Sequence, residues 1–216
     1  MTEPLDFLKS FCKFEKNTVY LMQLVARKKY NEELTQGTEC IFREVITCPE
    51  EIERKYNKMK CLADNYIGMD GLKFNWYLYV STNARDVIKA QFELRKRLDQ
   101  WMVQIINGNN PGHKLGKMDS EWFSCLAVAD SRATRYFLLD LDSKEEYAQS
   151  CLETFLMNED VDVLVKRETR NGWHYVTNPF NSEGVKTLFK DQIGYELEVK
   201  KDAPVFVEAI MTRGLE

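Results

Sequence analysis

The sequence predicts an α+β fold: a mixed or antiparallel sheet with helices packed against it. Three observations carry this. Apolar, β-branched and aromatic runs of strand length alternate with longer stretches of helical periodicity. Two pairs of strand runs, 161–168 with 173–177 and 196–200 with 205–210, follow each other with no helix between, which breaks the βαβ rhythm of a doubly wound parallel sheet. With 44% hydrophobic residues, a chain of 216 has enough apolar material for one large core.

The elements follow in chain order. Thr2, Glu3 and Pro4 open a helix, with a threonine cap and a proline in the first turn. Residues 17–26 and 39–46 read as strands, joined by a polar hairpin loop at 30–37. Thr47 and Pro49 start a helix that runs to Tyr66. Residues 73–81 form a third strand. Its Phe74, Trp76, Tyr77 and Tyr79 fit sheet core, with a base-stacking platform as the functional alternative. Residues 83–106 make a long amphipathic helix on which Arg95, Lys96 and Arg97 form a solvated face. Residues 107–116 are dense in Gly, Asn and Pro and read as a flexible loop carrying His113 and Lys114. A short helix capped by Asp119 or Ser120 covers 119–129. The run RYFLLDLDSK, 135–144, is a buried strand, and Ser143 then caps a helix to 156, with Glu145 and Glu146 at its positive end. Strands at 161–168 and 173–177, a helix at 181–190 and two closing strands complete the chain. The order favours an RRM-like core over residues 71–216, with residues 1–70 as an N-terminal βα extension packed on it within what can be a single domain.

Net charge is −4, so any nucleic-acid contact is a local patch rather than a global basic footprint. The six cysteines show no C-x-x-C pair, which fits reduced thiols and argues against a structural zinc site. The first residues carry early acids and no long apolar run, unlike a secretory signal. No stretch approaches the ~20 apolar residues of a membrane span. The expectation is a soluble, intracellular (cytoplasmic) protein without a membrane partner.

Chemistry concentrates in two places. Along the strand at 135–141, Phe137, Leu139 and Leu141 share one face, while Tyr136, Leu138, Asp140 and Asp142 share the other. Two carboxylates at i and i+2 on a strand end suit a hard divalent cation. The bland alternative is that Asp140 caps the strand and Asp142 precedes the Ser143 cap. About thirty residues on, TRNGWHY places His174 after a glycine turn, with Arg167, Arg170 and Asn171 before it, a grouping able to present imidazole and guanidinium to phosphate. Glu198 and Asp202 are rival third carboxylates. By composition alone Glu198, with Glu196 and Lys200 on its face, reads as a solvated strand face.

At these residues the chain resembles the archaeo-eukaryotic primase superfamily. FLLDLDS matches that family's acid–x–acid motif, in the form seen in polymerase domains of bacterial end-joining ligases. RNGWH at 170–174 is similar to its small-residue turn ending in histidine, LEVKKDAPVFVEA at 197–209 to its late acid-bearing strand, and WYLYVSTNARD at 76–86 to a strand and turn near the start of the fold. VTNPFN adds a likeness to small phage-type proteins. The resemblance covers residues 70–210 and implies a nucleotidyltransferase. Asp140, Asp142 and Glu198 would hold Mg2+ or Mn2+, and His174, helped by Arg170 or Arg167, would bind a nucleoside triphosphate, with DNA or RNA as a further partner. Two alternatives stand beside it: a non-catalytic phage accessory or host-factor inhibitor with a protein partner, and a metal-dependent nuclease.

Overall fold

The structure is a computed structural model that describes residues 3–32, 34, 40–67 and 73–211. Among these residues the chain is α+β, with two antiparallel sheets. Its elements are α1 (Pro4–Phe11), β1 (Thr18–Ala26), β2 (Cys40–Ile46), α2 (Glu51–Asn65), β3 (Asn75–Ser81), β4 (Arg85–Asp86), α3 (Val87–Ile106), α4 (Gly112–Leu115), α5 (Met118–Ala127), β5 (Phe137–Leu141), α6 (Glu146–Asn158), β6 (Val163–Glu168), β7 (Trp173–Thr177), α7 (Glu183–Leu188), β8 (Leu197–Lys200) and β9 (Pro204–Met211). No helix among the described residues is long and apolar enough to cross a membrane.

The first sheet runs β2-β1-β3-β9, with β4 paired to the start of β1. β1 lies between β2 and β3 and is covered on both faces, which is why TVYLMQLVA is nearly all apolar rather than alternating. Its Tyr20, Met22 and Leu24 join Trp76, Leu78 and Val80 of β3 in the main core under α1 and α2. The opposite face is divided. Val19 and Leu21 pack on α3 and α5, while Val25 meets Tyr77 and Tyr79. The boundary expected at residue 70 therefore falls between strands of one sheet.

Residues 137–200 run β-α-β-β-α-β and pair in the order β6-β7-β5-β8, the succession of a split β-α-β unit. Leu139, Leu141 and Tyr175 face α6 and α7 through Ala148, Leu152, Leu156 and Val185, with Phe189 just past the end of α7 in the same cluster. The predicted alternation of β5 holds, because Leu138 and Val176 point the other way, into the core of the first sheet.

The two sheets meet along β9, the outer strand of the first. An edge strand presents unpaired N–H and C=O groups. Here side chains of the second sheet satisfy them: the Phe206 N–H donates to His174 Nδ1 at 3.1 Å, and the Arg167 guanidinium donates to the Val207 carbonyl. Two further ties fix the joint. Asp202 accepts from Arg85 through both oxygens, at 2.9 and 2.7 Å. Asn83, fully buried in the turn before β4, accepts from the Tyr136 N–H at 2.6 Å and donates to the Tyr136 carbonyl at 3.2 Å, pinning the start of β5. Asn83→Ala is expected to destabilise the protein by about 2 kcal/mol, since it strands a buried backbone donor and acceptor. A denaturant melt with unchanged midpoint would refute that role.

Local differences from the sequence reading have physical causes. The helix expected from residue 83 begins at Val87, because Asn83 sits in a turn and Arg85–Asp86 form β4; Asp86 is its cap, accepting from the N–H groups of Ile88 and Lys89. At the N-terminus the cap position is Glu3 and makes no side-chain cap bond; Thr2 lies outside the described residues. α5 starts at Met118 and is capped by neither Asp119 nor Ser120. The Gly-rich stretch at 107–116 contains α4. The Ser143 Oγ accepts from the Glu145 N–H, one residue ahead of α6. Half of the hairpin loop expected at 30–37 lies outside the described residues.

Candidate active site

Beyond their contact along β9 the sheets diverge, and a cleft of about 370 Å³ opens between them. One wall is the outward face of β5, β7 and β8; the other is the tyrosine-bearing face of the first sheet. Asp140 is the register partner of both His174 on β7 and Glu198 on β8. Antiparallel partners point to the same side of a sheet, so these three side chains, spread over 59 positions of sequence, reach one surface. Asp142 and Arg170 line the same cleft.

Asp140 is fully engaged. His174 Nε2 lies 3.3 Å from its Oδ1 and Lys200 Nζ 2.6 Å from its Oδ2. Burial alone would raise the Asp140 pKa, but the hydrogen bond from His174 and the Lys200 ammonium hold the carboxyl far below the usual aspartate range. Lys200 also reaches Glu198 Oε2 at 2.5 Å, so one ammonium is bracketed by two carboxylates. Burial would lower its pKa, and the two acids raise it above the ordinary lysine value. Because His174 Nδ1 accepts from Phe206, its Nε2 carries the proton given to Asp140. Both ring nitrogens are occupied, and the imidazole joins the edge of the first sheet to the carboxylate of the second.

Across the cleft, cations from both sides lie on the aromatic faces of the first sheet. The Arg170 guanidinium lies 4.7 Å from the Tyr30 ring centroid and donates to Tyr77 Oη at 3.0 Å. Arg27 lies 5.2 Å from the Tyr79 ring, which in turn packs edge-on against Phe206. Tyr77 and Tyr79 thus serve both as sheet packing and as cleft wall. Arg27, Lys29, Tyr30 and Lys200 are site residues that the sequence reading missed. The run RKKY directly after an apolar strand was the available signal for three of them.

Two candidates do not join the cleft. Arg167, although the register partner of His174, is buried over the Phe7 ring at 4.4 Å and spent on β9; it lines a separate hollow beside α1. Asp202 is turned away and bound to Arg85, which leaves Glu198 as the third carboxylate of the cleft.

Asp140, Asp142 and Glu198 are oxygen donors of the kind that Mg2+ and Mn2+ take. The donor chemistry therefore fits a hard divalent cation, which would displace Lys200 from between two of them. Among the described residues no three His, Cys, Asp or Glu side chains stand together as a ready coordination shell. Comparison of the chain with family models, curated proteins and solved structures finds no match.

Proposed function

We propose that the cleft is a primase-polymerase-like nucleotidyltransferase site acting on nucleoside triphosphates or nucleic acid. The observation that carries this reading is the convergence of Asp140, Asp142, Glu198, His174 and Arg170 on one cleft whose far wall is cationic and aromatic. The three carboxylates would hold a divalent metal, which when bound supplies charge neutralisation of the triphosphate and activation of an attacking hydroxyl. His174 keeps Asp140 ionised and aimed. Arg170, Arg27 and Lys29 offer charge to phosphate oxygens, and the Tyr30 and Tyr79 rings beneath Arg170 and Arg27 hold those cations at the cleft. The RRM-like core read over residues 71–216 belongs to this same reading, and the strand order of residues 137–200 supports it.

The test combines a melt with a product assay. Manganese and a nucleoside triphosphate at a hundred times its dissociation constant should add about 2.7 kcal/mol, or roughly 5–11 °C for a chain of this size. Primer–template DNA should be extended in the same mixture. No shift at millimolar ligand would defeat the proposal. One observation favours a second reading: Lys200 already neutralises Asp140 and Glu198, so the cleft is balanced without a metal. A triphosphate shift that is indifferent to manganese, with no product, would support a non-catalytic binding protein. Degradation of the DNA would support a nuclease.

A further inference from the structure

Helix α3 turns one face to the body of the protein and leaves the opposite face bare. Ala90 and Trp101 are buried, and Arg97 bonds to Glu121 and Ser124 of α5. On the far side Ile88, Phe92, Met102 and Ile106 are 44%, 67%, 56% and 79% exposed. Scattered exposed apolar residues are ordinary, but these are in line. With Arg95 and Asp99 they occupy 88, 92, 95, 99, 102 and 106, alternating steps of four and three that form the a/d seam of a heptad repeat. Neither the Arg95 nor the Asp99 side chain has a hydrogen bond or ion pair to another described residue.

We propose that this seam is a homodimer interface, in which α3 packs antiparallel on α3 of a second copy about a two-fold axis beside residue 97. In that register Ile88 meets Ile106, Phe92 meets Met102, and Arg95 meets Asp99. Each pairing occurs twice, as an isologous contact requires, and every a position faces a d position. The seam is self-complementary in charge only this way round. A parallel pairing would set Arg95 on Arg95 and Asp99 on Asp99, and like charges at close quarters disfavour association. The central Arg–Asp layers fix register at some expense of affinity. Leu98 and Ile105 extend the apolar contact on one flank, while Lys89 and Lys96 stay in water on the other rim. At 1.5 Å per residue the seam is about 27 Å long, a modest interface that suits a dissociation constant on the order of micromolar.

Sedimentation velocity of the full chain from about 1 to 100 μM, the range that brackets such a constant, should show a monomer passing to a dimer. Arg95→Asp opposes two acids in each central layer and Asp99→Arg opposes two bases. Each should weaken the dimer about tenfold or more, and the double swap Arg95→Asp/Asp99→Arg should restore it. Both positions are exposed, so a thermal melt of each variant should match the parent. A wild-type chain that stays monomeric throughout would overturn the proposal and assign the face to a different protein. A dimer indifferent to the single swaps, or one that the double swap fails to restore, would overturn the interface or its register.

Discussion

Asp140→Asn is expected to lose metal-dependent triphosphate binding and about 3 kcal/mol of stability together. The carboxylate accepts from His174 and Lys200 in a partly buried site, and removing one member of such a network leaves the others without their counter-charge. For a chain of this size that loss lowers the melting temperature by roughly 6–12 °C. Affinity for manganese should fall about a hundredfold or more, the equivalent of about 2.7 kcal/mol. The pH dependence gives an independent signature. Asp140 has a folded-state pKa depressed below its unfolded value, so its contribution is fully present above the ordinary aspartate value near pH 4. It is lost as pH falls from there toward the folded value. The parent protein should therefore lose stability below about pH 4 more steeply than Asp140→Asn. Denaturant melts of both proteins from neutral to acid pH measure this. Parallel curves would mean that the carboxylate is not tied as the structure has it, and unchanged manganese affinity would remove it from the proposed metal site.

What the sequence showed of this site follows the range of the interactions involved. The strand with Asp140 and the direction of its side chain were legible because alternation is local: four of the five residues before Asp140 are bulky and apolar, and one face had to go inward. The role of Lys200 was not legible. Within YELEVKKD it has the pattern of a solvated face, and only the pairing of β8 with β5 sets it against Asp140. The same limit applied to Arg167, which local spacing placed with phosphate binders but which the edge of β9 takes up, and to Asp202, whose partner Arg85 lies 117 residues earlier. Arg95 looked like an ordinary solvated charge until the buried side of α3 was known, since a seam is defined by what the opposite face already covers.

Gly172→Ala should be the most damaging single-atom change in the cleft. The sequence suggested glycine here for a tight turn, but the backbone at 172 is not left-handed; such conformations among the described glycines occur at Gly108 and Gly194. The reason is close approach. The β6–β7 turn is closed by the Thr169 N–H to the Gly172 carbonyl at 2.8 Å and by the Gly172 N–H to Thr169 Oγ1 at 3.1 Å. That turn lies directly on the end of β5: a Cβ at 172 would stand 1.8 Å from the Leu141 carbonyl oxygen and 2.7 Å from the Ser143 nitrogen. Both obstacles are backbone, so no rotamer change relieves them, and the turn must lift away from the residues that flank Asp142. The expected loss is about 4 kcal/mol, in the range of severe overpacking and strain, with a melting temperature lower by roughly 8–16 °C. Gly194→Ala is the control. Its φ is +77° but the space around it is open, so it should lose only about 1–2 kcal/mol, the strain of a left-handed residue with a Cβ. Equal melting temperatures for the two variants would show that the turn carrying Arg170 is not seated against the Asp142 strand end, and the cleft would lose the contact that places its basic wall beside its carboxylates.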